Sequence, residues 1–382
     1  MEKIKRKILI VFGTRPEAIK MVPVIKEFQK RTLEFEIRVC VTAQHRQMLD
    51  QVLEVFEISP DYDLNIMSEN QNLYTITSRV LLGLKDILEN FKPNLMLVHG
   101  DTTTSMTASI ASFYNHTKIA HVEAGLRTNN LQSPWPEEMN RQIIDRICDF
   151  HFAPTTLNKQ NLLNERTHKS KIFVVGNTVI DALYLALDLI NNNRGLQNSI
   201  LKDIQQYGYS IKRRDYILVT GHRRENIGEG FINICHALKK IANDHSHLDI
   251  VYPVHLNPNV QKTVFEILAE VKNIYLIPPL DYLPFIYIMQ HSLLILTDSG
   301  GVQEEAPSLG KPVLVLRDVT ERTEAVDAGT VKLVGANCSN IIKSVNEILN
   351  NEDLYKKMAE AHNPYGDGNA SKRIVDIIFE NL

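Results

Sequence analysis

The stretch from His99 to Arg141 holds the acids best placed for proton chemistry: Asp101 in HGDTTT, Glu123 in HVEAGLR, and Glu137 beside Glu138 in SPWPEEMNR. Asp101 and Glu123 each come after a short apolar run, LMLVHG and IAHV, that reads as a strand. In an open parallel sheet the carboxyl ends of the strands share one edge, and ligands bind in the crevice there. Two acids at such ends, with a third on the next loop, can converge on one pocket. Converging carboxylates repel, so their pKa values are driven apart, which suits one to give a proton and another to take it.

A second cluster lies near the other end of the chain. The run LLILTDSGGVQEEAPSLGKPVLVL reads as strand, tight turn, helix and strand. Ser299, Gly300 and Gly301 would present backbone N–H groups at a helix N-terminus, a place suited to phosphate oxygens. Glu305, about one turn on, fits ribose hydroxyls better than phosphate. The plainer alternative is that Gly300-Gly301 only turns the chain. The pattern is not a Walker A loop, because Gly310-Lys311 follows the helix and is followed by Pro312. Nor is it G-x-G-x-x-G, so a dinucleotide has little support.

Isolated residues join these clusters by position. Arg15, in GTRPEA after the first strand, can face an anion bidentately, or sit in a surface salt bridge. His222, in VTGHRREN, stands at another strand end beside Arg223 and Arg224. Cationic neighbours depress a histidine and a bound phosphate raises it, so its charge state stays open. Arg322 would add positive charge near the phosphates. Phe285 would stack on a base, although a lone Phe is more often core. Asp101, Asp298 and Asp318 lack a second Asp/His motif at binuclear spacing, so no metal is expected.

Repeated β–α units must position these residues. Strands are expected at Lys7–Phe12, Phe35–Val41, Leu95–Val98, Ile119–Val122, Phe150–Ala153 and Ile172–Val175. Helices are expected at Pro16–Lys30, Gln47–Phe56, Leu73–Asn90, Thr103–Tyr114 and Glu137–Cys148. The polar stretch Asn191–Arg214 reads as a linker or excursion. The pattern then resumes with strands at Tyr216–Thr220, Leu248–Val254, Ile274–Ile277, Leu293–Thr297 and Val313–Leu316. Helices lie between them at Phe231–Asn243, Val260–Glu270, Tyr282–His291 and Val302–Leu309, and a last one spans Ala370–Glu380. Such alternation means an α/β protein with parallel sheets covered on both faces. The expectation is two Rossmann-like domains with an interdomain active-site cleft. The first spans 1–176, with the C-terminal helix of 365–382 packing back on it. The second spans 177–364.

Bulk properties narrow the function classes. A chain of 382 residues is long enough for two domains. Net charge is −3, so bulk charge gives no argument for a nucleic-acid or membrane-surface partner, and neither is expected. The longest apolar runs are far short of a membrane span. Arg15 and Glu17 follow the first apolar run at once, so the start reads as a strand rather than a signal peptide. The four cysteines are scattered without C-x-x-C spacing, which points to reduced thiols and a cytoplasmic protein.

Read in order, GTRPEA, TAQHRQMLDQ, HGDTTT, HVEAGLR, SPWPEEMNR, GNTVIDAL, GHRREN, PVHLNP, DSGG-x-QEEAPSLGKPVLVLR and TERTEA resemble the non-hydrolysing UDP-N-acetylglucosamine 2-epimerases. The resemblance implies a glycosyltransferase-B-like fold and interconversion of UDP-GlcNAc and UDP-ManNAc without a cofactor, supplying ManNAc units for bacterial surface polysaccharide. It implies a homodimer. It ties Arg15, Asp101, Glu123, Glu137 and His222 to catalysis or substrate contact. It ties Ser299, Gly300, Gly301, Glu305 and Arg322 to UDP, Phe285 to uracil, and Lys30 to substrate binding. Some bacterial members bind a second, regulatory UDP-GlcNAc, and Gln44, Gln71, Arg223 and His255 look like parts of that site. Where such members carry an arginine before the second glutamine, this chain has Asn70.

The expected chemistry follows from the substrate. The proton at C2 is not acidic until the C1–O bond breaks, so UDP leaves, a glycal forms, and UDP adds back after protonation of the other face. That requires cations and helix N-terminal donors at the diphosphate, carboxylates for the proton and exclusion of water. A glycosyltransferase of the same fold would depend on an acceptor. A hydrolysing epimerase would release free ManNAc. A sugar-nucleotide sensor would not need three acids.

Overall fold

Continuous apolar runs, rather than alternating ones, build both sheets, as strands buried on two faces require. The computed structural model describes residues 5–43, 46–67, 71–211, 215–223 and 226–382. The chain divides into two compact units, Met1–Ala182 with Tyr365–Leu382, and Leu183–Pro364. No helix among the described residues is long and apolar enough to cross a membrane.

The first unit has seven strands: β1 (Arg6–Phe12), β2 (Phe35–Val41), β3 (Tyr62–Asp63), β4 (Leu95–His99), β5 (Lys118–Val122), β6 (Phe150–Ala153) and β7 (Ile172–Val174). All pairs are parallel, in the order β3-β2-β1-β4-β5-β6-β7. The order reverses between β1 and β4, so the loops after these strands flank a topological switch point, where ligands of open α/β sheets bind. The helices that matter to the site are α1 (Arg15–Gln29), α2 (Arg46–Val55), α3 (Leu73–Phe91), α4 (Thr103–Tyr114) and α5 (Glu137–Ile147). Leu9, Val11, Met96, Val98 and Ile119 meet Val80, Leu84 and Leu88 of α3 and Ala108 of α4 in one buried cluster.

The C-terminal helix Ala370–Asn381 packs on α1. Its first N–H groups, from Ala370 and Ser371, donate to the Asp181 carboxylate at 3.2 and 2.7 Å. Arg31 pairs with Asp376 further along it.

The second unit repeats the scheme with β8 (Tyr216–Thr220), β9 (Asp249–Pro253), β10 (Ile274–Ile277), β11 (Leu294–Thr297), β12 (Val313–Val315) and β13 (Val331–Leu333). The order β10-β9-β8-β11-β12-β13, again wholly parallel, puts its switch point between β8 and β11.

Two expectations need correction. The supposed linker at Asn191–Arg214 holds a helix, Arg194–Gln206, capped by the Asn193 side chain at 3.0 Å and anchored by buried Ile200 and Ile204. Its asparagine-rich start reads as loop, but an asparagine at this place is a helix cap. The expected helix Val302–Leu309 begins at Gly300 and turns into a 3-10 segment at Ala306, where Pro307 removes a backbone donor. The two short edge strands, β3 and β13, lay below the length that an apolar run reveals.

The end of β1 leaves no room for a side chain at Gly13. A Cβ on Gly13 would stand 2.1 Å from Thr42 Oγ1 and 2.7 Å from Thr104 Oγ1, two hydroxyls that bond each other at 3.0 Å. Gly13→Ala is therefore expected to cost about 1–3 kcal/mol by overpacking. Urea unfolding should show a lower midpoint with an unchanged slope.

Candidate functional site

In the first unit the loops after β1 and β4 are held together by a residue that the sequence reading overlooked. Glu17, 2% exposed in the first turn of α1, accepts the N–H groups of Gly13 and Thr14 at 3.1 and 2.8 Å. It also accepts the hydroxyls of Thr14 and Thr102, each at 2.8 Å. The two loops at the switch point are thus tied through one buried carboxylate. Arg15, beside it, is half-buried, and its guanidinium has no hydrogen bond or ion pair among the described residues. A cation left so at a helix N-terminus suits an anionic ligand.

Glu123 follows β5 with φ +69°, a left-handed conformation that costs a non-glycine residue energy. Its Oε2 accepts from Lys20 Nζ and, at 3.2 Å, from Asn177 Nδ2, and His99 Nε2 lies 3.6 Å away. Burial pushes the carboxyl up, but Lys20 and His99 outweigh it and hold Glu123 well below the usual range. The group is an anion with Oε1 left without a partner among the described residues. His99, 4% exposed, has both ring nitrogens without a hydrogen bond among the described residues.

Asp101 follows β4. Its carboxylate pairs with Arg141, and its carbonyl accepts from Asn140 Nδ2 at 2.8 Å, both donors standing on α5. The adjacent pair on α5 splits in role. Glu138 is fully buried and accepts the N–H groups of Thr128 and Asn129 at 3.0 and 3.1 Å, and Gln142 Nε2 at 2.9 Å. Glu137 is half-buried, with a carboxylate that makes no such bond among the described residues. The structure therefore leaves Glu137 available and commits Glu138 to the loop before it.

In the second unit Asp298, which looked isolated in the sequence, organises the loop after β8. It is fully buried. It accepts the His222 N–H at 2.9 Å, the Arg223 N–H at 2.8 Å and Asn226 Nδ2 at 3.3 Å. The His222 ring stands with Nδ1 3.5 Å from Asp298 and stacks on His255 at 5.3 Å. Burial lowers its pKa most, Asp298 opposes, and His255 and Arg223 lower it further.

Ser299 leads into the helix Gly300–Glu305, with its N–H on Thr297 Oγ1 at 2.9 Å. A Cβ on Gly300 would meet Arg322 Cζ at 2.6 Å, so only glycine lets the guanidinium lie against this turn. Arg322 is oriented there by Glu304, at 3.0 and 2.9 Å, and by Glu321. Glu305, 8% exposed, lies 3.4 Å from the Tyr282 hydroxyl. Phe285 is half-buried on the same helix as Tyr282. Arg223 and His255 thus gather around His222, with Arg223 Nε buried and without a hydrogen bond among the described residues. Gln71 stands just before α3 in the first unit, its Oε1 also buried and without a hydrogen bond among the described residues. Gln44 lies outside the described residues.

A family model described as UDP-N-acetylglucosamine 2-epimerase matches residues 26–379. The chain belongs to that family. A UDP-N-acetylglucosamine 2-epimerase of Campylobacter jejuni is 56% identical over 375 residues, 98% of each chain. The crystal structure of UDP-GlcNAc 2-epimerase from Neisseria meningitidis bound to UDP-GlcNAc matches with a TM-score of 0.89 and 53% identity, over 98% of this chain and 100% of that one. The Methanocaldococcus jannaschii UDP-GlcNAc 2-epimerase in complex with UDP-GlcNAc and UDP matches with a TM-score of 0.79 and 34% identity, over 98% and 100%. Two parallel α/β units in this order are the glycosyltransferase-B-like fold.

For this member of the 2-epimerase family, one expectation fails on geometry. Lys30 caps the far end of α1, 70% exposed and paired with Glu27 at 2.7 Å. At a rise of about 1.5 Å per residue it stands about 20 Å along the helix from Arg15. Lys20, a turn and a half after Arg15, is the lysine that reaches Glu123. A lysine on a helix is ordinarily solvated, so only the fold reveals it.

Lys20→Met should raise the pKa of Glu123. Because the folded value is depressed, this carboxylate contributes stability in full above its ordinary value of 4.5, and loses it as pH falls through the folded value. The variant's stability deficit against the wild type, read by urea unfolding, should therefore shrink as pH falls below 4.5. A deficit independent of pH would contradict the pairing.

Proposed function

We propose that this chain interconverts UDP-N-acetylglucosamine and UDP-N-acetylmannosamine by eliminating UDP and adding it back after C2 has been inverted. The two are isomers, so the reaction needs no oxidant or reductant. The observation that carries the reading is Glu123, an anion held through one oxygen by Lys20 and Asn177, one strand away from Asp101. An anion placed at the hexose stabilises the oxocarbenium character that makes the C2 proton removable. Membership of the family and the UDP-GlcNAc bound in the Neisseria meningitidis relative support it.

In this reading Arg15, His222, Ser299, Gly300, Gly301 and Arg322 bind the diphosphate, Glu305 the ribose and Phe285 the uracil. Lys20 replaces Lys30 as the lysine of the sugar site. Asp101, Glu123 and Glu137 handle the C2 proton, and Glu137, without a fixed partner, is the member best able to exchange its proton with solvent. Gln71, Arg223 and His255, with Gln44, are proposed to hold a second UDP-GlcNAc that regulates turnover. The relative crystallised with both UDP-GlcNAc and UDP supports two nucleotide sites. The product would feed a surface polysaccharide, made from the cytoplasm.

The test is NMR of UDP-GlcNAc with the purified chain in D2O. Expected are UDP-ManNAc, retained nucleotide and deuterium at C2. Free ManNAc, or no deuterium, would refute the reading. Asp101→Asn and Glu123→Gln should each lower turnover by about 100-fold or more while UDP still binds.

A homodimer is the proposed assembly. Leu82 on α3 and Phe113 and Tyr114 on α4 are 69%, 56% and 69% exposed. Leu82 and Tyr114 line a hollow of about 290 Å³ with Leu81, Leu88 and Ala111, rimmed by Lys85, Glu89 and Asn115. Exposed apolar groups so clustered mark a contact surface. Light scattering should give twice the chain mass of 43.6 kDa, and Leu82→Glu should return it to the monomer.

A further inference from the structure

Asp145 is 3% exposed on α5, two turns beyond Glu138 on the same buried face. Its Oδ1 accepts from His121 Nδ1 at 2.6 Å. Its Oδ2 accepts the Gly125 N–H at 3.1 Å and Arg127 Nη2 at 2.7 Å. His121, on β5 and fully buried, meets the Gly100 carbonyl with Nε2 at 2.7 Å. A carbonyl only accepts, so Nε2 bears the hydrogen of that bond. One carboxylate thus reaches, through His121, the peptide that precedes Asp101, and, directly, the amide two residues after Glu123.

Further bonds keep this carboxylate in place. Arg127 is clamped to Glu165 at 2.6 and 2.8 Å, and His151 Nε2 donates to the Asp145 carbonyl at 2.8 Å. Burial would push Asp145 up, but His121 and Arg127 hold it well below the ordinary carboxylate range. The carboxylate is held by His121 and by Gly125 and Arg127 of the loop after β5, and it reaches the loop after β4 only through His121, where Gly100 also donates its N–H to the Val122 carbonyl at 2.9 Å.

We propose that Asp145, acting through His121, is a positioning residue that sets the separation of Asp101 and Glu123 and so lets proton removal and return proceed on one bound intermediate. This rests on the epimerase reading above. Neither residue touches substrate. If their link is cut, Asp101 and Glu123 still exist but no longer hold their spacing, and misplacement by about 1 Å can cost as much as 100-fold in rate. The elimination then outlives re-addition, and UDP and the glycal escape.

The test uses the full chain with His121→Gln and Asp145→Asn. Both should fold by circular dichroism and bind UDP with a Kd within about threefold of wild type, and KM should move no further, because the nucleotide contacts are untouched. Turnover should fall about 30-fold, and the share of UDP released with glycal, read by NMR, should rise. Folded variants with turnover within about threefold of wild type would overturn the proposal, as would equal losses in UDP affinity and turnover. So would failure of both variants to fold, which would assign the network to stability alone. If the wild type itself shows no epimerisation, that reading falls, and the positioning claim stands or falls on amide exchange. The amides of Asp101 and Gly125 should then exchange faster in His121→Gln than in wild type.

Discussion

At the carboxyl end of a parallel strand the chain leaves the sheet, and its N–H groups lose their ladder partners. Buried carboxylates take several of those groups in this protein. Glu17 serves Gly13 and Thr14, Asp145 serves Gly125, Glu138 serves Thr128 and Asn129, and Asp298 serves His222 and Arg223. A buried anion is costly unless its lone pairs are filled, and an orphan backbone donor is costly in its own right. Each cancels the other's penalty. Charge-assisted bonds from below thus help to fix the loops that carry the proposed site residues, beside the bonds that the Gly100 and Glu123 N–H groups make to the Val122 and Phe152 carbonyls.

That arrangement separates two kinds of acid. Glu17, Glu138, Asp145 and Asp298 are spent on backbone and side-chain donors and hold geometry. Asp101, Glu123 and Glu137 keep an oxygen, or the whole carboxylate, uncommitted. Glu123 joins the two classes: Oε2 is tied to Lys20 and Asn177, and Oε1 has no partner among the described residues. A carboxylate held on one oxygen cannot swing, and one held by a lysine does not lose its charge at neutral pH. Both properties suit a group that must meet developing positive charge on a sugar without reorganising.

The sheets were legible because their strands are apolar without interruption, and a parallel sheet with covered faces asks for that. The site residues were legible for a related reason, since polar residues within about three positions of the end of such a run stand near the ligand edge. Arg15, Asp101, Glu123, His222 and Ser299 all meet that rule. Residues whose role depends on a partner from elsewhere in the chain were not legible. Glu17 and Lys20 sit inside a helix and read as solvated charges; Glu17 is buried by Thr102, and Lys20 finds Glu123 a hundred positions away. Asp298 looked isolated because its donors come from the loop after β8. The helix Arg194–Gln206 was hidden by its own cap, since a cluster of asparagines is as good a turn signal as a helix start.

The pair Glu137-Glu138 shows why sequence alone leaves such choices open. The two are identical in chemistry and adjacent, so no pattern separates them. On a helix they point about 100° apart. The buried face is fixed by Ile144 and Asp145, six and seven positions beyond Glu138, and by Arg141 three beyond it. That phase puts Glu138 inward against the Thr128 and Asn129 amides and leaves Glu137 at the rim. The same phase brings Arg141 to Asp101 and Asp145 to His121. A single rotational setting of α5 thus decides which glutamate is free, how Asp101 is paired and where the two acid-bearing loops stand, so a change that turned this helix would disturb all three acids at once.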